Sequence, residues 1–188
     1  MAPRSDGRAT RQRILRSAAH HVGVHGPARL TLDSAAEAAG LSKGAVLYHF
    51  STKDALVEAL LTSILDGFDH ATTAIMANDD TAQGGYATAY AKASFDPRNN
   101  TPDAAAGLLA ALTNNLDLLN PAADRHRQYQ QMLEADGIAP AAATLVRLAA
   151  DGLFFARALK LAPPSDPVTA EVLAMLLALV KSHQSTVD

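Results

Sequence analysis

The chain has 188 residues, of which 48% are hydrophobic and 19% charged, and its formal net charge is −3 at pH 7. This length suits one large domain or a small domain joined to a larger one. Cysteine is absent, which excludes disulfides and thiolate chemistry and fits a reducing cytoplasm. No apolar run reaches the roughly 18 residues that span a bilayer, and the N-terminus lacks a signal-peptide core, so we expect a cytoplasmic protein with no membrane partner.

Charge is distributed unevenly along the chain. Residues 1–60 hold eight Lys or Arg and five Asp or Glu, whereas residues 61–188 hold eight and fourteen. Five arginines fall within the first sixteen residues. A basic end on an acidic body indicates a polyanionic partner for that end alone, although a solvated basic tail would give the same composition.

Helical patterns dominate the sequence, and strand signals are nearly absent, so we expect an all-α fold of about nine helices. The first helix is expected over about Thr10–Val24, with Thr10 as its N-cap and an apolar residue at every fourth position. Pro, Gly and Asn clusters separate the later helices, which are expected at about 82–95, 103–116, 121–136, 139–161 and 166–183.

Two short helices follow the first one, at about 32–39 and 43–49. They are joined through Gly40-Leu41-Ser42, and this spacing predicts a helix-turn-helix. Thr31 and Ser42 can cap them, and Gly40 suits a turn that needs a positive φ.

A long fourth helix is expected at about 53–77. The stretch Ser51-Thr52-Lys53-Asp54 is typical of a capping box, in which Ser51 caps the helix and Asp54 reaches back to it.

The second short helix has one apolar and one polar face. Its inward residues and their expected neighbours are Leu41, Val46 and Phe50 against Ile14, Leu32 and Leu56. The outward side then carries an ammonium, a glycine, a phenol and an imidazole, groups that suit a DNA major groove and its phosphates. A plain helical hairpin with a polar surface is the alternative.

The stretch from Thr10 to Leu60, TRQRILRSAAHHVGVHGPARLTLDSAAEAAGLSKGAVLYHFSTKDALVEAL, resembles the DNA-binding domain of the tetracycline repressor (TetR) family. The resemblance rests on Thr31, Ala36, Ala39-Gly40, Ser42-Lys43-Gly44, Tyr48-His49-Phe50 and Lys53. It implies a homodimeric repressor that binds double-stranded operator DNA through Thr31, Ser42, Lys43, Gly44, Leu47, Tyr48, His49 and Lys53. It also implies a DNA-binding domain at residues 1–52 and a helical ligand-binding and dimerisation domain at residues 53–188.

Two positions depart from the family pattern. Many members carry Tyr where this chain has Leu47, and leucine loses the phenol hydrogen bond but can meet a thymine methyl group. Ala35 stands where a larger aliphatic residue is common, which predicts a slightly thinner core.

The second half of the chain offers a shorter resemblance. The stretch LAADGLF, from Leu148 to Phe154, is similar to the penultimate helix of a TetR subgroup that includes multidrug-binding repressors. Because the last two long helices have broad apolar faces, we expect them to form a four-helix bundle with a second copy. The interface residues expected are Leu145, Ala149, Gly152, Leu173, Leu176, Leu177 and Val180. The alternative is that both faces belong to the protomer's own core.

Aromatic residues of the C-terminal domain are candidates for an effector pocket. Those expected to line it are Phe68, Tyr86, Tyr90, Tyr129 and Phe155. With a few polar groups they would suit a small apolar or amphiphilic molecule, including a cationic one. Ordinary core packing would account for the same residues.

Metal, cofactor and catalytic signals are weak. His21 and His25 stand one helical turn apart, but no third ligand is near them in sequence, and His126 with Asp124 is an equally poor pair. We find no nucleophile–base motif, P-loop or dinucleotide fingerprint, so we expect no metal, no cofactor and no enzymatic activity. A DNA-binding regulator without a ligand and a helical enzyme remain the alternatives.

Overall fold

The computed structural model describes residues 4–78, 83–99 and 102–183. These residues form nine α-helices and no β-strand, which confirms the all-α prediction. The α-helices are α1 Arg4–His25, α2 Leu32–Ala39, α3 Lys43–His49, α4 Lys53–Met76, α5 Gly85–Phe95, α6 Pro102–Asn114, α7 Asn120–Glu134, α8 Pro140–Ala158 and α9 Asp166–Ser182. Two short 3₁₀ helices lie at Pro27–Arg29 and Leu116–Leu119.

Two predicted helix starts are wrong. The first helix begins at Arg4 rather than Thr10, because no proline interrupts the preceding residues and a helix tolerates Gly7 at a cost of about 1 kcal/mol. At α4 the cap is Thr52 rather than Ser51, since the Ala55 N–H donates to Thr52 Oγ1 at 3.0 Å. The predicted start of the fifth helix at residue 82 lies outside the described residues.

By its internal contacts the chain divides into two units, one made of residues 1–64 and 102–122 and the other of residues 65–101 and 123–188. The described part of the first unit contains α1 to α3, the first half of α4, and α6. Its core confirms the predicted inward residues, since Val46 and Phe50 are buried with Ile14 and Leu56. Leu32 and Leu41 pack against this cluster.

The helix-turn-helix is held by local hydrogen bonds at both helix starts. Thr31 and Ser34 form a reciprocal capping box at 2.9 Å, and the Ala45 N–H donates to Ser42 Oγ at 3.2 Å. Gly40 has a φ of 62°, in the left-handed region that favours glycine. These features make α2 end sharply and α3 begin two residues further on.

In the same unit α6 crosses α4 at very close range. A Cβ on Gly107 would lie 2.7 Å from the backbone nitrogen of Leu61, closer than packed atoms approach. Any side chain at this position would push the two helices apart, so the crossing depends on glycine.

The second unit is built around α5. Its core joins Tyr86, Tyr90 and Leu133 with residues of α8 and α9. The Asp136 carboxylate, 50 residues away in sequence, accepts from the backbone N–H groups of Tyr86 at 3.1 Å and Ala87 at 2.7 Å. These bonds satisfy N–H groups in the first turn of α5, where the helix dipole also favours a negative charge.

We searched the described helices for one both long and apolar enough to cross a membrane and found none.

Candidate functional site

The helix α3 presents its residues to two different environments. Val46 is completely buried on one face, whereas Leu47 and Tyr48 are 42% and 85% exposed on the other. Lys43 and Gly44 are also exposed, and the nearest atom to a Cβ on Gly44 would be Ser42 Oγ at 3.9 Å. The exposed face therefore holds an apolar group, a phenol, a cation and a stretch of open backbone.

The remaining residues predicted to contact DNA lie at the ends of the same helices. Thr31 and Ser42 are exposed and act as N-caps, accepting from Ser34 and Ala45. His49 is half-buried with its ring edge-on to Tyr48, at 5.1 Å between centroids. Lys53 is half-buried at the start of α4.

Two ionic contacts of this region were not predicted from the sequence. The Lys43 Nζ lies 3.0 Å from Asp33 Oδ2 on α2, with both side chains more than half exposed. The guanidinium of Arg11 on α1 lies 5.1 Å from the ring centroid of Phe50, a cation–π distance. Spacing along one helix gave no signal for either pair, because each joins two helices.

Four of the five predicted pocket residues come together in the second unit. The Phe68 ring lies 4.9 Å from Tyr90 and 5.4 Å from Tyr129, and the Tyr90 and Tyr129 rings are 5.7 Å apart. Tyr86 adds a fourth ring at 6.1 Å from Tyr90. We call Phe68, Tyr86, Tyr90 and Tyr129 the aromatic cluster. Phe155 is not part of it: its side chain is 43% exposed and its ring neighbour is Phe154.

Charged groups border the aromatic cluster on two sides. On one side the Tyr129 hydroxyl donates to Asp69 Oδ1 at 2.7 Å, and Arg125 forms ion pairs with Asp69 and Asp66. On the other, Asp151 accepts from Arg147 Nη1 at 2.8 Å.

Two further polar residues join the Asp151 side of this network. Gln130 Oε1 accepts from Arg147 Nε at 2.5 Å, and His126 Nδ1 lies 3.8 Å from Asp151. The sequence had paired His126 with Asp124, but Asp124 pairs with Arg127 instead. Sequence reasoning missed these contacts because the partners are 17 to 60 residues apart.

Burial keeps the phenols of the aromatic cluster neutral. Desolvation, helped by the Asp136 charge, raises the pKa of Tyr86 to about 12. Burial also raises the pKa of Tyr90 and of Tyr129, with Asp151 adding to the rise at Tyr90. The cluster therefore offers aromatic faces and hydroxyl groups beside carboxylates that are already paired.

The residues predicted for a dimer surface divide by exposure. Leu176 and Val180 are 6% and 1% exposed and lie in the core of the second unit. Leu145 is half exposed, Gly152 is exposed, and Ala149, Leu173 and Leu177 are partly buried. Other large apolar side chains on α8 and α9 are also exposed, namely Leu148, Phe155, Val168 and Met175.

The described histidines and acids give no group of three or more that could hold a metal ion. The His21 and His25 rings lie 4.6 Å apart on α1.

An all-helical chain with an exposed, locally capped second helix in a helix-turn-helix is a protein of the helix-turn-helix DNA-binding class. Residues 84–181 match the family model described as "Tetracyclin repressor-like, C-terminal domain", and residues 14–60 match "Bacterial regulatory proteins, tetR family". The chain belongs to the TetR family of transcriptional regulators.

Individual relatives agree with this assignment. The chain is 36% identical over 77 residues to the HTH-type transcriptional regulator TtgR of Pseudomonas putida. That match covers 41% of this chain and 37% of the relative, so the chain spans little more than a third of the curated protein that it matches.

Solved structures match over more of the chain. A TetR-family member from Streptomyces coelicolor A3 is 28% identical, with a TM-score of 0.66 over 89% of this chain and 97% of that one. The multidrug binding protein EbrR complexed with ethidium is 27% identical, with a TM-score of 0.62 over 89% and 98%. A transcriptional regulator from Rhodococcus sp. Rha1, 19% identical with a TM-score of 0.72 over 94% and 98%, shares the fold.

Proposed function

We propose that the chain is a repressor that binds double-stranded operator DNA through α3 and releases it when a small lipophilic molecule binds the second unit. One observation carries the DNA-binding part: Tyr48 is 85% exposed beside an exposed Leu47, on a helix whose opposite face is completely buried. Family membership supports the same role.

The chemistry of the exposed face fits the two layers of DNA recognition. Lys43, Tyr48, His49 and Lys53 can donate to phosphate oxygens, which fixes the position of the helix. Leu47 can contact a thymine methyl group, and the open backbone at Gly44 permits close approach to DNA. The Thr31 and Ser42 oxygens accept from backbone N–H groups, so their hydroxyl protons remain suited to donate to phosphates.

We place the homodimer surface on α8 and α9. Large apolar side chains are exposed there on both helices, and contiguous apolar surface favours association. A two-fold dimer would present two copies of α3 to two half-sites, which matches the symmetry of most operators read by such proteins. Leu145 and Gly152 then face the partner, whereas Leu176 and Val180 support the surface from within.

We place the effector at the aromatic cluster. Its three closest rings, Phe68, Tyr90 and Tyr129, offer faces that attract organic cations by about 0.5–2 kcal/mol each. Asp69 and Asp151 border the cluster and can balance a positive charge, at the cost of loosening Arg125 or Arg147. The complex of the similar EbrR with ethidium, an aromatic cation, supports this ligand class. We assign no cofactor and no catalytic role, and we place the protein in the cytoplasm with its DNA.

Selection of duplexes from random DNA, followed by affinity measurements, tests the DNA-binding role. We expect one preferred palindromic sequence bound at least about a thousandfold more tightly than random DNA at physiological salt. Leu47→Ala should change the ranking of single-base variants of that sequence, with the largest change at a thymine. Equal affinity for all duplexes would refute specific recognition. An unchanged ranking for Leu47→Ala would remove Leu47 from base reading only.

A further inference from the structure

A groove in the first unit carries an unusual set of side chains. It has a volume of about 480 Å³ and lies where Ala38 of α2 faces the second half of α1. Its polar lining comes entirely from α1 and consists of Arg16, Ser17, His20, His21 and His25. No carboxylate lines it. The groove shares no residue with the exposed face of α3 or with the aromatic cluster.

The arrangement of these side chains follows from the helix period. Ser17, His21 and His25 stand four residues apart and share one face of α1, and Arg16 and His20 form the adjacent row. The His21 and His25 rings lie 4.6 Å apart at 48°. The buried Nε2 of His21 makes no hydrogen bond to any described residue. A ring nitrogen without a partner beside an open groove suits a ligand atom.

We propose that this groove binds a small phosphate compound through its phosphoryl group. A guanidinium can hold a phosphate by two parallel hydrogen bonds, and imidazole N–H groups and a serine hydroxyl supply further donors. The volume suits a phosphate monoester of metabolite size rather than a macromolecule. Helices α2, α6 and the 3₁₀ helix Pro27–Arg29 pack on α1, but only α2 reaches the groove, through the uncharged Ala38. No acid in the lining therefore competes with the phosphate for these donors.

A metal ion fits the same groove less well. Zinc sites use three or four protein ligands, whereas only three imidazoles line the groove, and the Arg16 charge beside them repels a cation. Phosphate has the opposite preference, because each imidazole that gains a proton adds an attractive charge. Histidine changes its charge between about pH 5 and 8, so phosphate binding should tighten as the pH falls through that range.

Titration of the full-length protein with inorganic pyrophosphate, followed by calorimetry and by the histidine side-chain NMR signals, tests the proposal. We expect one saturable site per protomer, with affinity about tenfold higher at pH 6 than at pH 8. Arg16→Gln should weaken binding at least tenfold, and His21→Gln with His25→Gln should flatten the pH dependence. Arg13→Gln is the matched control: it removes one charge from an exposed position of α1 outside the lining and should leave the affinity within twofold.

Three results would overturn the phosphate site. Equal losses in Arg13→Gln and Arg16→Gln would show unspecific attraction to a basic helix. Saturable binding of Zn²⁺ to the same histidines without pyrophosphate binding would make it a metal site. Lower affinity for duplex DNA in Arg16→Gln without pyrophosphate binding would assign the groove to the DNA backbone. If Arg16→Gln fails to fold, Arg16→Lys keeps the charge but loses the paired hydrogen bonds, and a weakened affinity is again expected.

Discussion

The ammonium of Lys43 on α3 lies 3.0 Å from the carboxylate of Asp33 on α2, in a contact that is open to solvent. Lys43 belongs to the face proposed to meet DNA, so its cation is shared between an internal acid and an external polyanion. Exposed ion pairs contribute at most about 1 kcal/mol, which a phosphate can outcompete.

Asp33→Asn should therefore raise DNA affinity by up to about fivefold, the equivalent of ~1 kcal/mol. The change releases Lys43 and removes a negative charge that faces the phosphates. Fluorescence anisotropy with the selected duplex measures the effect. Glu37→Gln removes an exposed acid from the same helix and serves as the control. If Lys43 mediates the gain, Asp33→Asn should have a much smaller effect in the Lys43→Ala background.

Lys43 and Tyr48 should affect DNA binding in two distinguishable ways. Lys43→Ala removes a phosphate charge and should flatten the slope of log affinity against log salt by about one unit. Tyr48→Phe removes a hydrogen bond without changing charge, so it should lower affinity by roughly tenfold with an unchanged slope. Lys181→Ala, an exposed lysine of α9, is the control for charge alone. Unchanged affinity in both variants of α3 would contradict the proposed docking.

The dimer surface can be separated from the core by two adjacent residues. Met175 is 72% exposed and Leu176 is 6% exposed, so Met175→Glu should yield a folded monomer whereas Leu176→Glu should unfold the second unit. Burying an unpaired charge costs several kcal/mol, and an exposed charge costs little until a partner covers it. Sedimentation and circular dichroism distinguish the outcomes, with Ser63→Glu as an exposed control. A folded dimer of Met175→Glu would move the interface away from that part of α9.

The buried tyrosines predict a loss of stability at alkaline pH. Burial raises the pKa of Tyr86 from about 10 in the unfolded chain to about 12 in the folded one. The folded state therefore keeps a proton that the unfolded state loses, so stability is full below pH 10 and falls between pH 10 and 12. Urea unfolding at pH 9 and pH 11 should show Tyr86→Phe losing less stability than the natural chain, by about 1–2 kcal/mol. Equal losses would contradict the shift.

Local chemistry explains which parts of the fold could be predicted. The helix-turn-helix depends on Thr31, Gly40 and Ser42, whose capping and turn preferences act within four residues, and the structure places them as expected. The start of α4 was misplaced by one residue because Ser51 and Thr52 are both good caps, and only the turn geometry selects between them.

Contacts over long distances explain most of what was missed. Asp69 and Tyr129 are 60 residues apart, and Asp136 caps α5 from 50 residues away, so no sequence window contains both partners. The placement of Phe155 had another cause. Helix α8 carries apolar residues on both faces, and its periodicity alone could not decide which face is buried.

Ligand linkage with tetraphenylphosphonium, a lipophilic aromatic cation that does not intercalate into DNA, tests the central claim most directly. Calorimetry should give its affinity for the protein alone and for the protein saturated with the selected duplex, and anisotropy should give DNA affinity with and without the cation. The account predicts that each ligand weakens the other by the same factor, about fivefold or more, and that Tyr90→Leu abolishes the effect while sparing DNA affinity. Saturable cation binding that leaves DNA affinity unchanged would contradict it.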